Sequence, residues 1–111
     1  MLIAAGGTYG IDGALALLST WCAAKVHLAS SLTLHAAPTA AAARGRALVA
    51  CMAVNYRLCS AASVARYFHR AKATLSEQMT ACRVRPSDQQ ILGTPLRRIL
   101  DEAAALQEKS L

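Results

Sequence analysis

A chain of 111 residues is long enough to bury one core without disulfides or metal as staples, so a single domain is expected. Its hydrophobic fraction of 55% is largely alanine, with aromatic residues at only 5%, which favours closely packed helices. No run of alternating β-branched or aromatic residues is present, so the fold class is read as all-α. The net charge of +6 is concentrated: eight bases and one acid lie between Arg44 and Arg85, against four bases and five acids elsewhere. Such a segment suits a phosphate-binding face, and equally a solvated basic surface.

Residues 1–10 read as a flexible arm. The apolar stretch that follows has no positively charged opening, is interrupted by glycine and by Asp12, and from Ala14 to Ala24 is too short to span a bilayer. A buried helix from about Asp12 to Ala24 is expected instead, with Leu15, Leu18 and Cys22 at helical spacing and Trp21 beside them. A short helical turn is expected near Leu28 to Leu32, then a loop from Thr33 to Pro38. The second long helix runs from about Thr39 to Arg57, where Leu48, Met52 and Tyr56 recur every four residues. Val49 and Ala53 widen that stripe into a core-facing side, and Gly45 is a mild local weakness.

Ser60 is a good N-cap for a third helix reaching about His69, with Val64, Ala65 and Phe68 inward. A fourth runs from Lys72 or Ala73 to Val84, with Leu75, Met79 and Cys82 inward, and ends at Arg85 because Pro86 follows. Ser87-Asp88-Gln89-Gln90 has a capping-box pattern for a short turn, and Thr94-Pro95 opens a last amphipathic helix. Leu96, Ile99, Leu100, Ala103 and Leu106 share one side of it, while Arg97–Asp101 and Arg98–Glu102 fall at the spacing of exposed ion pairs. This helix either closes the core or pairs with a second copy as a homodimer. The chain thus divides into the arm (1–10), a helical domain (11–86) and a C-terminal helical extension (87–111).

The four cysteines, Cys22, Cys51, Cys59 and Cys82, form no C-x-x-C pair, and His27, His35 and His69 add no ligand at metal spacing. They are expected to be reduced, mostly buried thiols of a cytoplasmic protein without metal or cofactor. There is no phosphate-binding glycine loop and no spacing that suggests a nucleophile with its base, so an enzyme is not expected. Trp21, Tyr56 and Phe68 lie on apolar helix faces and read as core.

The third and fourth helices carry the spacing of a helix-turn-helix over 60–83. Ala65 is small where the two helices approach, Leu75 packs the second one back, and Phe68 plugs the angle between them. The second would then present Lys72, Ala73, Thr74, Ser76, Glu77 and Thr80 to a major groove. An αα-hairpin with no DNA role shares much of this pattern.

The stretch Ala43-Arg44-Gly45-Arg46-Ala47-Leu48-Val49-Ala50 resembles the A-R-x-R-x-hydrophobic-A-hydrophobic opening of the DNA-binding domain (domain IV) of the bacterial replication initiator DnaA. Ser60, Val64, Ala65 and Phe68 fall where that family has S-L-x-E-I-G-x-x-F. The run Phe68 to Met79 is similar to F-G-R-D-x-S-T-V-S-R-A-V in the C-terminal module of REP-associated transposases. The resemblance covers about Asp12 to Arg85. It implies a compact, Trp repressor-like helical domain with a central helix-turn-helix that binds double-stranded DNA. On that reading Arg70 lies near the backbone or minor groove, Thr74 is on the recognition helix, and Arg44 and Arg46 open the second long helix. The expected DNA-contacting set is Arg70, Lys72, Ala73 and Thr74 at the groove, with Arg44, Arg46, Arg66 and Arg83 on phosphates. Departures from the pattern are Ala71 in place of an acid, His69 where the turn has glycine, Lys72 for histidine or proline, and the acid Glu77 on the outward face. A helical interaction module that kept the fold and lost its DNA contacts is the alternative.

Overall fold

The computed structural model describes residues 10–110. Among them are seven helices and no strand: α1 (Gly10–Lys25), α2 (Ser31–Ala36), α3 (Ala40–Asn55), α4 (Ala61–Tyr67), α5 (Lys72–Val84), α6 (Pro86–Leu92) and α7 (Leu96–Ser110). The fold class is all-α, as expected. The arm expected over 1–10 lies outside the described residues, apart from Gly10, which opens α1. None of the described helices is long and apolar enough to cross a membrane.

Short hydroxyl side chains start three of these helices. The Oγ of Ser30 accepts from the Thr33 amide, that of Thr39 from Ala42 and that of Ser60 from Ser63, each satisfying one amide that the first turn leaves unpaired. The Ser30 cap also corrects the sequence reading. Helix starts at Ser31 and runs through Thr33 to Ala36, so the segment expected as loop is mostly α2. At the other ends, α1, α3 and α4 stop in the same way. His27, Arg57 and His69 each adopt a left-handed backbone (φ 62°, 58° and 56°). The next amide reaches back five residues in each case: Leu28 to Ala23, Leu58 to Ala53 and Arg70 to Ala65.

The centre of the molecule is α3. Every residue from Gly45 to Ala53 is buried, so this helix has no solvent side over that span, where the sequence suggested a core-facing stripe. Its small residues allow neighbours to close in all round, and α1, α2, α4, α5 and α6 all pack on it. Gly45 is one such point: a Cβ there would lie 2.2 Å from Leu34 Cδ1 and 3.2 Å from Val26 Cγ2. It is a point of close approach between α2 and α3, where the sequence suggested only a local weakness.

The tail belongs to the same body. The capping box expected at Ser87 is absent: Arg85 is the N-cap, Pro86 takes the first helical position, and Asp88 turns inward. In α7, Ile99 and Ala103 are fully buried against the rest of the core, and the helix lies along α1. Trp21 Nε1 donates to Glu102 Oε1 (2.9 Å), and Lys25 Nζ pairs with the same oxygen (3.1 Å). Arg98 Nε holds the other oxygen at 2.9 Å. The Arg97–Asp101 pair expected beside it is not among the ion pairs of the described residues. The apolar side of α7 therefore closes the core of its own chain, and the radius of gyration of 12.8 Å is that of one compact domain, about 13 Å at this length.

Candidate nucleic-acid interface

The α4–α5 unit is held together by the residues that the sequence picked out. Val64 and Ala65 of the first helix, Phe68 at its C-terminal cap, and Leu75, Met79 and Cys82 of the second are all buried. Four residues, Phe68 to Ala71, join the two helices, and the left-handed His69 lets the chain turn there. His35 of α2 supports the corner from outside. Its ring lies 4.7 Å from Phe68 and 4.9 Å from Tyr67, edge-on to the latter. Burial, and then the nearby His69, Arg46 and Arg70, push the His35 pKa below its ordinary 6.5.

The basic residues of the central segment divide into two sets. Arg46 is only 5% exposed, and its Nη1 donates to the carbonyls of Leu34 (2.8 Å) and Ala37 (3.1 Å), which ties off the C-terminal end of α2. The structure places this residue, expected on a phosphate, inside the domain with its guanidinium engaged by backbone carbonyls. Arg44 is half-exposed but committed. Its Nε and Nη2 lie 2.6 and 2.5 Å from Asp88 Oδ1, and Arg85 grips the other oxygen of this fully buried carboxylate. Burial alone would raise the Asp88 pKa, but hydrogen bonds from Arg44, Arg85 and Cys82 outweigh it and hold the pKa below its ordinary value. The structure thus places Arg44, expected on a phosphate, in one arm of an internal clamp joining α3, α5 and α6. Arg70 occupies a middle position, half-buried with Nη2 donating to the His35 carbonyl at 2.9 Å.

The second set faces outward. Lys72, Ala73, Thr74 and Arg83 are all exposed on α5, and Arg66 is exposed on α4 with Nη2 on Ser63 Oγ (3.1 Å). Lys72 and Arg83 line one groove, of ≈ 630 Å³, between α5 and the start of α4; its floor includes Val54, Ala62 and Met79. At ~100° per residue these two cations fall within about 20° of each other on one edge of α5, about 16 Å apart along its axis. Neither has an ion-pair partner among the described residues. Arg66 lies elsewhere, in a depression with Asp12, Tyr67 and His69, so the expected set of eight is not brought onto one surface. Sequence reasoning missed the partners that decide this: Asp88 for Arg44 and Arg85, and the α2 carbonyls for Arg46 and Arg70.

The thiols agree with the sequence reading. All four cysteines are free, with Cys22, Cys51 and Cys82 buried and Cys59 half-buried. Burial first, and then the buried Asp88, push the Cys82 thiol up to about 12. The described residues contain no group of three histidine, cysteine or acidic side chains placed to hold a metal ion. Comparison with protein-family models, curated proteins and solved structures gives no match for this chain.

Proposed function

We propose that this chain is a non-catalytic, cytoplasmic module that binds double-stranded DNA through α4 and α5 acting as a helix-turn-helix. The observation that carries this reading is the exposed edge of α5, where Lys72 and Arg83 stand without acidic partners beside a corner formed by the four residues from Phe68 to Ala71. Two cations at that spacing on one helix edge can meet phosphates of a duplex. The resemblance of Ala43–Ala50 and Phe68–Met79 to the DnaA DNA-binding domain and to the transposase module adds support. The four cysteines argue against nucleophilic catalysis by a thiol, because burial raises the pKa of each and disfavours the reactive thiolate.

Titration of a fluorescent duplex at a series of salt concentrations tests the proposal. Binding should weaken steeply as salt rises, and Lys72→Ala or Arg83→Ala should each reduce the slope of log affinity against log salt by about 1. Micromolar protein giving no signal at low salt would sink it. The withdrawal of Arg44 and Arg46 into internal bonds favours a second reading, a helical interaction module without DNA contacts. The same titration separates the two.

A further inference from the structure

Resting on the duplex-binding reading above, we infer that this chain grips DNA by its phosphate backbone and does not discriminate base sequence. Reading a base pair in the major groove takes a side chain long enough to reach its edge and equipped to donate or accept there, typically Arg, Lys, Asn or Gln. The outward arc of α5 has none of these four, and its one acid, Glu77, can accept only from a cytosine amine while repelling the phosphates on either side. Ala73 and Val84 carry no hydrogen-bonding atom, and Val84 is 71% exposed. The Thr80 hydroxyl donates its proton to the Ser76 carbonyl of the preceding turn (3.1 Å). Glu77 is an exposed acid at the middle of the arc, and the one amide of the helix, Gln78, is half-buried. That leaves Thr74, a single short hydroxyl.

The charges are placed differently. Lys72 and Arg83 mark the two ends of one edge of α5, away from the centre of its outward arc. Cations so placed can meet phosphates along a strand, while the arc between them offers the bases an anion and two methyl-bearing surfaces. Glu77 then acts as a uniform brake, because its charge repels phosphates whatever bases they carry.

Selection from a random duplex pool at low salt, followed by sequencing, tests this beside affinities for several unrelated duplexes. The expected result is recovery of DNA without an enriched motif, with affinities that agree within about two-fold across sequences, far from the ~10³-fold or greater preference of a specific binder. Glu77→Ala, which removes the charge without adding a base-reading group, should raise every affinity by the same factor, several-fold at low salt. An enriched motif, or a Glu77→Ala gain confined to some sequences, would overturn the inference while leaving duplex binding in place. Failure to recover any DNA would overturn the duplex-binding reading itself, and with it this inference.

Discussion

At Gly45 helix propensity and packing pull in opposite directions. Alanine there would gain ~1 kcal/mol in intrinsic helix stability. Its Cβ, however, would meet Leu34 Cδ1 at 2.2 Å, and Leu34 is fully buried, so its methyl cannot swing out to solvent. Overpacking of a closed core costs ~1–3 kcal/mol, so packing should win. Gly45→Ala should lower the urea midpoint, and adding Leu34→Val should recover part of the loss; a raised midpoint for the single variant would contradict the close approach. The opposite case is Ala71, the N-cap of α5, which has no side chain to bond the first amides. Ala71→Ser should stabilise the protein by about 1 kcal/mol, read as a higher melting temperature. The missing cap was legible in the sequence because capping is a local matter. The role of Gly45 was not, because its cause sits eleven positions away on another helix.

Among the elements, α6 shows most clearly where local reading stops. Arg85 before Pro86 correctly announces the end of α5, since the proline ring excludes helical geometry for the residue before it. Nothing in Ser87-Asp88-Gln89-Gln90 reveals that Asp88 turns inward to hold Arg44 of α3 and Arg85 together. Asp88→Asn would leave both guanidiniums facing a neutral amide. The expected cost is about 2 kcal/mol, below the ~3–5 of a wholly buried pair because Arg44 and Arg85 keep contact with water. Chemical denaturation at neutral pH measures it, and an unchanged midpoint would show that the clamp contributes nothing. The helix boundaries of α1, α3, α4 and α5 were legible to within about two residues from caps and apolar spacing. The division of basic residues into clamped and free ones was not, because it depends on which carbonyls and carboxylates lie opposite after folding.

For the molecule as a whole, these buried and paired groups set an acid-side stability profile with two steps. His35 is held neutral by burial and by neighbouring cations, so its folded pKa lies below 6.5. The unfolded chain therefore takes up the proton first, and stability should begin to fall as pH drops below 6.5. Asp88 and Glu102 act further down. Their folded pKa values are lowered from 3.8 and 4.5, so their contribution is intact above those values and lost as pH falls through the lower folded ones. His35→Phe keeps a ring beside Tyr67 and Phe68 and should abolish the first step while leaving the second; persistence of both steps would assign the first elsewhere. The tail contributes to the lower step through Glu102, whose pKa is held down to about 2 by hydrogen bonds from Trp21, Arg98 and Lys25. Trp21 is the sole tryptophan of the chain, so the seam between α1 and α7 comes with its own lamp. The indole emits from a buried setting with a carboxylate on its N–H. A shift in its colour therefore reports the undocking of one helix, and can be timed against the unfolding of the rest.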